Sequence, residues 1–409
     1  MTARIKVKWL SIQRKTIDPL DMPDGDLELW SIPDFDNGSP SITNRQSIGS
    51  SKKVVFPGDV LLSKIVPHIR RAWIVRESNL PQYASTEWLT FHSSKVRPEF
   101  LRYALLTDEF NRQMQLNSNG MGSLKRADPE KVGEQQINLP TIRKQKIIAD
   151  FLDKRLVAID AVLHQKSEQL KKISSYRQSL ITRAVTKGLD PNVVMKASGV
   201  QWIGNMPSHW RICRVKNLFS VVCGATPSPN PQYWNGNINW IGPSDMDEIG
   251  DVSSGKRSIT REGYESCGTT LVPQGSLVLS TRAPVGKVNI AKGELCTNQG
   301  CKSLVPLGSK NYTKYYYFVL QAAKDQLIQD SSGTTFLELS TSALSDELLP
   351  LPSLDEQKRI VSFLEKIDEM VLELKVKLSD SIRLLNEYRS SLISAAVTGQ
   401  LAIDEEASA

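Results

Sequence analysis

Residues 139–189 read LPTIRKQKIIADFLDKRLVAIDAVLHQKSEQLKKISSYRQSLITRAVTKGL, and residues 351–401 read LPSLDEQKRIVSFLEKIDEMVLELKVKLSDSIRLLNEYRSSLISAAVTGQL. The two stretches align at a constant offset of 212 residues, without a gap over 51 positions, of which 18 are identical. A match of this length indicates an internal duplication, and the copies of a duplicated segment are expected to fold alike. The architecture of the chain is therefore organised around this repeat.

Each copy of the repeat has the pattern of one long helix. Apolar residues recur in alternating steps of three and four, with no Gly or Pro for about forty positions, and a spacing near 3.5 residues favours a coiled coil. Pro140 and Pro352 lie just before the pattern, and Gly188 and Gly399 lie just after it; these are common start and stop signals. The predicted coiled-coil seam consists of Leu152, Leu156, Ile159, Leu163, Leu170, Ile173, Leu180, Leu364, Ile367, Val371, Leu374, Leu378, Leu385 and Leu392.

The charges of the two predicted helices indicate how they pair. Arg143 to Lys187 contains 11 basic and 4 acidic residues, a net charge of +7, whereas Asp355 to Arg389 contains 7 basic and 8 acidic residues, a net charge of −1. The first helix would repel a copy of itself and tolerate the second. We therefore expect the two repeats to lie against each other within one chain. The alternative is that each helix packs separately on its own globular domain.

Composition excludes several classes of protein. The basic N-terminus lacks the apolar core of a signal peptide, and no run approaches the 18 or more apolar residues of a membrane span. We therefore expect a soluble, cytoplasmic protein without a membrane partner. The five cysteines contain no C-x-x-C pair, and the four histidines are not at ligand spacing, so we expect reduced thiols and no metal site. The net charge of +7 and pI near 9.0 fit a nucleic-acid partner.

The segments outside the repeat look like distant copies of one another. Both are rich in turn residues between short β-prone runs. Trp30 corresponds to Trp240 at an offset of 210 residues, and Ser63 corresponds to Ser280 at an offset of 217, so loops of different length join a shared framework. We predict an α/β (α+β) fold with a first globular domain at 1–138, a long helix at 139–189, a linker and second globular domain at 190–349, a second long helix at 350–401 and an acidic tail at 402–409.

The second globular segment opens SGVQWIGNMPSHWRICRVKNLF at residue 198, and the helices carry LP-x-x-x-x-Q-K-x-I-x-x-F-L and YR-x-SLI-x-x-AVT. In these features the chain resembles the specificity subunits of type I restriction–modification systems. The resemblance covers essentially the whole chain and preserves the order of its parts. The first segment lacks the W-x-G-x-x-P-x-x-W lead-in found at Trp202, Gly204, Pro207 and Trp210.

The resemblance implies different roles for the domains and the helices of this chain and for its partner subunits. Two target recognition domains would each read one half of a split, asymmetric site in double-stranded DNA, and two antiparallel helices would set the unread gap. The chain would have no catalysis and no cofactor of its own. It would hold two modification subunits, which methylate adenine N6 with S-adenosylmethionine, and would recruit restriction subunits, the ATP- and Mg-dependent motor nuclease.

Basic residues in the globular segments are the candidate DNA contacts. Lys and Arg can neutralise phosphates or bind guanine edges, and glycine beside them lets backbone amides approach a phosphate. For each residue the alternative is a solvated loop charge, and Tyr233, Trp234 and Trp240 are expected to be core anchors. The predicted DNA-binding residues are Lys52, Lys53, Lys64, Arg70, Arg71, Lys125, Arg126, Lys256, Arg257, Arg282, Lys287 and Lys302.

The sequence also suggests two functions other than DNA recognition. Asn230-Pro231-Gln232-Tyr233 resembles the site that grips a flipped adenine in amino-methyltransferases, but the third residue is Gln and no strand with a Gly-rich turn precedes it. A catalytic methyltransferase is therefore not favoured. The second alternative is a structural adaptor whose domains bind protein and whose helices mediate assembly. Binding to DNA should weaken steeply with salt, which would distinguish the two.

Overall fold

The computed structural model describes residues 3–282, 284–308, 311–333 and 337–403. Residues 404–409 of the predicted acidic tail lie outside the described residues. The chain divides into two compact units. Unit 1 takes residues up to Glu168 together with those from Leu378 onward, and unit 2 takes Gln169–Lys377. Each unit therefore contains one globular segment and a part of each long helix.

Unit 1 is built from short helices and from short strands that form two main sheets. Its strands are β1 (Ala3–Lys6), β2 (Thr16–Ile17), β3 (Asp26–Trp30), β4 (Ser41–Asn44), β5 (Lys52–Val54), β6 (Val60–Ser63), β7 (Ala72–Ile74), β8 (Gln82–Ser85), β9 (Trp88–Phe91), β10 (Ser118–Asn119), β11 (Arg126–Ala127) and β12 (Gln136–Leu139). The five-stranded sheet has the order β2-β5-β8-β3-β4, the three-stranded sheet has the order β7-β6-β9, and β1 pairs with β12. Its helices are α1 (Ile32–Asn37), α2 (Pro98–Ala104), α3 (Asp108–Leu116) and α4 (Pro129–Glu134), with 3-10 turns at Val7–Trp9, Pro19–Asp21, Arg45–Ser47 and Gly122–Leu124. The first long helix is α5 (Ile142–Lys187).

Unit 2 also contains one five-stranded and one three-stranded sheet, together with an added hairpin. Its strands are β13 (Met195–Ala197), β14 (Asn205–Pro207), β15 (Arg211–Arg214), β16 (Phe219–Cys223), β17 (Trp234–Ile241), β18 (Asp251–Val252), β19 (Arg257–Ile259), β20 (Leu277–Ser280), β21 (Val288–Ala291), β22 (Cys296–Thr297), β23 (Cys301–Pro306) and β24 (Leu348–Leu351). The five-stranded sheet has the order β16-β23-β20-β21-β18, the three-stranded sheet has the order β19-β17-β22, and β15 pairs with β24. Its helices are α6 (Arg261–Glu265), α7 (Thr313–Ala322), α8 (Lys324–Gln329) and α9 (Thr341–Asp346), with 3-10 turns at Val215–Asn217, Pro231–Tyr233 and Pro243–Asp245; the second long helix is α10 (Leu354–Thr398).

The strand pairing shows that the two globular segments share one framework. Trp30 lies opposite Ala84 in a parallel pair, and Trp240 lies opposite Cys296 in the same kind of pair. Ser63 likewise pairs with Trp88, as Ser280 does with Cys301. The duplication predicted from the sequence is confirmed.

The long helices pack against each other in both units. In unit 1 the early part of α5 and the late part of α10 share a core that includes Leu152 and Ile393. In unit 2 the late part of α5 and the early part of α10 share a core that includes Ile181 and Leu364. Early segments meet late segments, so the helices run antiparallel, and the predicted pairing within one chain is confirmed. The predicted seam residues are buried or partly buried except Leu374, which is 46% exposed.

The added hairpin of unit 2 is the W-x-G-x-x-P-x-x-W lead-in. β13 pairs with β14, and Trp202, Ile203, Met206 and Trp210 pack into the core that contains the end of α5. Gly188, just past α5, has φ +73°, and a side chain there would lie 3.3 Å from the Trp210 ring. A glycine therefore ends the helix and lets the indole close over it.

Candidate nucleic-acid interface

In unit 1 two loops meet next to strand β6. The loop that follows β6 contacts the glycine-containing loop between β10 and β11, because the Ala127 amide donates to the Lys64 carbonyl at 2.7 Å and the Val66 amide donates to the Lys125 carbonyl at 2.8 Å. Val66 has φ +45°, a left-handed conformation that is uncommon for a β-branched residue. These backbone contacts hold the basic residues of both loops on one surface.

A basic cluster surrounds Glu87 on this surface. Lys64 lies 3.6 Å and Arg126 lies 3.4 Å from the Glu87 carboxylate. Lys53 donates to the Trp88 carbonyl at 2.6 Å, and burial lowers its pKa, with a smaller contribution from nearby Lys64. The single carboxylate leaves the cluster with a positive charge that could attract phosphate.

The glycine-containing loop carries two exposed apolar side chains and an unpaired lysine. The Lys125 ammonium has no hydrogen-bond or ion-pair partner among the residues that the structure describes. Met121 and Leu124 are 87% and 68% exposed. Gly120 has φ +89°, and a Cβ there would lie 2.6 Å from the Leu124 carbonyl oxygen, so this tight turn requires glycine. Sequence reasoning noted the glycines but not that two apolar side chains would stand out beside a free lysine.

Unit 2 has the equivalent pair of loops. The Leu339 amide donates to the Thr281 carbonyl at 3.0 Å, and Arg282 forms a β-bridge with Glu338. The Arg282 guanidinium also forms an ion pair with Glu338 at 2.7 Å. Its charge is therefore largely compensated, unlike that of Lys125 in unit 1.

A second exposed basic pair in unit 2 lies at strand β19. The Arg257 guanidinium stacks over the Trp234 ring, 3.3 Å from its centroid, and Lys256 is exposed without a side-chain partner among the described residues. Trp234 itself is buried and donates to the Ser228 carbonyl at 3.0 Å. A buried ring that holds the face of a guanidinium leaves the edge of that guanidinium free to bind a phosphate or a base.

Strand β17 adds polar side chains that sequence reasoning missed. Asn235 and Asn237 are exposed and Asn239 is partly exposed, and the strand bulges between Trp234 and Ile238. Asn235 has φ +61°, which Asn tolerates better than most residues. The alternating asparagines of WNGNINWI were the available signal, since Asn can bind the edge of adenine through two hydrogen bonds.

Several other predicted DNA contacts are bound to groups within the protein. Their side chains are buried or at most 30% exposed, so we leave them out of the proposed DNA surface. Lys52 donates to Ser50, Arg70 pairs with Asp108, Arg71 binds Asp36 through two hydrogen bonds of 2.7 Å, Lys287 donates to the Met246 carbonyl, and Lys302 donates to the Leu339 carbonyl. Burial lowers the pKa of Lys52 and of Lys302, whereas hydrogen bonding from Arg71 lowers the pKa of Asp36.

Asn230 has a local structural role. Its side-chain oxygen accepts a hydrogen bond from the Gln232 amide at 3.1 Å and caps the 3-10 turn Pro231–Tyr233.

The described residues contain no cluster of three or more His, Cys, Asp or Glu side chains that could hold a metal ion. None of the helices in this part of the chain has the length and the apolar character of a membrane span.

Comparison with known proteins places the chain in a family. The family model of the type I restriction modification DNA specificity domain matches residues 12–172 and 207–384. The MjaIX specificity subunit of Methanocaldococcus jannaschii is 36% identical over 41% of this chain and 40% of its own length, and the HindI specificity subunit of Haemophilus influenzae is 23% identical over 86% and 88%. A second M. jannaschii relative, the putative MjaX specificity subunit, is matched over 60% of its length.

The fold is also found in a solved structure. A chain from a structure that describes complex assembly and conformational transition of the type I R-M system aligns over 98% of both chains, with a TM-score of 0.73 and 20% identity. The family model covers both globular segments, which agrees with the duplication seen in the strand pairing. This chain belongs to the type I restriction modification DNA specificity domain family.

Proposed function

We propose that this chain is the DNA-recognition subunit of a type I restriction–modification complex, and that each unit reads one half of a split site. The observation that carries the proposal is the exposed basic surface on each unit. In unit 1 it contains the exposed Arg126 and the partly exposed, unpaired Lys125, and in unit 2 it contains the exposed Lys256 and Arg257. Cationic side chains on loops supply the phosphate contacts that position a reader on DNA.

Base reading would come from side chains beside these cations. Asn235 and Asn237 of unit 2 can reach a groove edge because they project from a bulged strand. In unit 1, exposed Met121 and Leu124 have the character of apolar side chains that some DNA-binding proteins insert between base steps. We propose that the two units read different sequences, since these surfaces differ in chemistry.

The partners follow from the same proposal. Two modification subunits would methylate adenine N6 in the recognised sequence with S-adenosylmethionine, and restriction subunits would supply the ATP- and Mg-dependent motor nuclease. In this arrangement the chain itself contributes recognition and assembly, and every cofactor is bound by a partner.

Adenine-methylation mapping tests the proposal directly. DNA from cells that express the chain with its cognate modification subunit should be methylated at one split motif. Exchange of residues 1–138 for the first domain of a relative should change one half of that motif and leave the other half unchanged. Changes in both halves, or no motif from an assembled complex, would contradict the proposal.

Salt dependence separates DNA reading from a protein-binding adaptor. The affinity of the complex for its motif should fall steeply as salt rises, because each phosphate contact releases condensed cations. The double substitution Lys125→Gln and Arg126→Gln should weaken binding and reduce the salt dependence. The matched control is Arg112→Gln, which removes an exposed arginine of the same unit that forms an ion pair with Glu109. If the test and control variants have equal effects on affinity and salt dependence, the loop does not contact DNA.

A further inference from the structure

In unit 2 an arginine and a glutamate form an ion pair where the two equivalent loops meet. Nη2 of Arg282 lies 2.7 Å from Oε2 of Glu338, and the two side chains are 43% and 37% exposed. Both members therefore stay accessible to a ligand while they contact each other. Exposed ion pairs contribute little to stability, so we expect the protein to remain folded when either side chain is replaced.

The backbone holds both residues in place. Arg282 and Glu338 lie opposite each other in a β-bridge. The Arg282 amide donates to the Gly300 carbonyl at 3.2 Å, and the Glu338 amide donates to the Ser332 carbonyl at 2.9 Å. The two side chains thus extend side by side from a fixed framework, and a pair that is ordered before binding loses less entropy when it contacts a ligand.

Most hydrogen-bonding groups of this pair are free. Within the part of the chain that the structure describes, Nε and Nη1 of Arg282 and Oε1 of Glu338 have no hydrogen-bond partner. The Lys302 ammonium lies 3.8 Å from Oε1, which is too long for a hydrogen bond. The pair therefore presents several N–H donors directly beside a carboxylate acceptor.

This arrangement of donors and acceptor matches one base pair in the major groove of DNA. A G·C pair presents two acceptors there, N7 and O6 of guanine, followed by the N4 amino donor of cytosine. The O6 and N4 atoms are hydrogen-bonded to each other at about 2.9 Å, close to the 2.7 Å between Nη2 of Arg282 and Oε2 of Glu338. An A·T pair would instead place an amino donor against the arginine and a carbonyl acceptor against the carboxylate.

A phosphate is a less suitable ligand for this arginine. The Glu338 carboxylate compensates the charge of Arg282 and would repel an anion. In unit 1 the equivalent bridge joins Ile65 and Arg126, so a cation takes the position of Glu338 there. Equivalent positions of the two units thus differ in chemistry, as expected for readers of different sequences.

We propose that Arg282 and Glu338 together read one G·C base pair in the half of the site that unit 2 binds. Two N–H groups of Arg282 donate to N7 and O6 of guanine, and the Glu338 carboxylate accepts from N4 of cytosine. Glu338 also orients the guanidinium through their ion pair. This inference rests on the proposed function, because it names the bases that one recognition domain reads.

The test measures fluorescence anisotropy of the complex with its modification subunits on duplexes of the mapped motif. The half read by unit 2 is the half that exchange of residues 1–138 leaves unchanged. We expect it to contain a G·C pair at which 7-deazaguanine, which lacks the N7 acceptor, weakens binding about threefold or more. In Arg282→Ala the same base analogue should cause no further loss. Glu338→Ala should lower the preference for G·C over A·T at that pair about fivefold or more.

The matched controls are Arg214→Ala and Glu365→Ala. These exposed side chains of unit 2 form ion pairs with Asp346 and Lys314, and their removal should leave every base preference as in the wild type. Melting curves that match the wild type verify that each variant is folded.

Three results would overturn the inference and leave the proposed function intact. They are a unit 2 half-site without a G·C pair, a 7-deazaguanine effect that Arg282→Ala does not abolish at any G·C pair of that half, and equal base preferences in Glu338→Ala and the wild type. A loss of affinity in Arg282→Ala that is uniform over all positions would assign this arginine to a phosphate and would also contradict the inference. Absence of any motif would instead contradict the proposed function, and the inference would fail with it.

Discussion

Arg177 of α5 donates two hydrogen bonds to the carboxylate of Asp368 on α10, from Nε at 2.7 Å and from Nη2 at 2.9 Å. Its Nη1 donates to the Gln321 side-chain oxygen at 3.1 Å, and the Arg177 side chain is only 6% exposed. This arginine interrupts the apolar seam of the helix, so its charge has to be compensated by the antiparallel partner. The pair fixes the register of the two helices in unit 2.

The duplication provides a natural control for this ion pair. Arg389, the counterpart of Arg177, pairs with Asp160 in unit 1 at 3.0 Å, with side chains 36% and 53% exposed. We expect Arg177→Ala to lower the free energy of unfolding by about 2–3 kcal/mol, because it leaves Asp368 partly buried and unpaired. Arg389→Ala should cost less than about 1 kcal/mol, as exposed ion pairs do. Urea denaturation measures both, and equal losses would contradict the role given to Arg177.

In each unit one buried glutamine joins the globular segment to a long helix. The Gln145 side-chain oxygen accepts from the Arg97 amide at 2.8 Å, and the Gln357 side-chain oxygen accepts from the Tyr312 amide at 2.9 Å. Arg97 and Tyr312 are the residues just before α2 and α7. We expect Gln145→Ala and Gln357→Ala each to cost about 2 kcal/mol in urea denaturation, because a backbone N–H and a cavity are left behind. Gln165 is exposed, and Gln165→Ala should change stability by less than about 0.5 kcal/mol. Similar losses for all three variants would contradict the role given to the two buried glutamines.

Periodicity predicted the long helices because a repeating apolar pattern is a local property of the sequence. The net charges of the two helices predicted their pairing, since net charge discriminates between like and unlike partners. The sequence could not predict whether an individual basic side chain is exposed or bound within the protein, because that depends on carboxylates and carbonyls that are distant in the sequence. Arg71 meets Asp36 across a gap of 35 residues, and Lys302 reaches the Leu339 carbonyl across 37. A run of basic residues therefore identified a region of the chain but not which side chains face outward.

Lys302 and Lys256 should affect DNA binding differently. The Lys302 side chain is 5% exposed and lies 3.8 Å from Glu338, whereas Lys256 is exposed. If Lys256 contacts a phosphate, Lys256→Met should weaken binding at all sequences and lower the slope of log affinity against log salt by about one. Lys302→Met should leave both quantities unchanged. Fluorescence anisotropy of the complex with its modification subunits measures them, and a reduced slope for Lys302→Met would return that lysine to the DNA surface.

Glu347 should make the stability of unit 2 depend on pH. Burial raises the pKa of Glu347 to about 7 from an ordinary value of 4.5, and hydrogen bonding with Asp330 is the second cause. Between these two values the unfolded chain releases a proton that the folded chain keeps. The contribution of Glu347 to the free energy of unfolding should therefore be greatest below pH 4.5 and should decline as pH rises through 7.

Glu347→Gln isolates this contribution. The amide keeps an oxygen that can accept from the Trp202 indole, and Gln135 at the equivalent position of unit 1 shows that the framework accommodates it. One pKa unit corresponds to roughly 1.4 kcal/mol, and partial hydration of the carboxylate reduces the total, so we expect the wild type to lose about 2 kcal/mol relative to Glu347→Gln between pH 5 and pH 8. Urea denaturation at both pH values measures the difference. The exposed Glu262→Gln should follow the wild type, and parallel pH curves for wild type and Glu347→Gln would show that the carboxyl group ionises in the folded protein as it does in the unfolded chain.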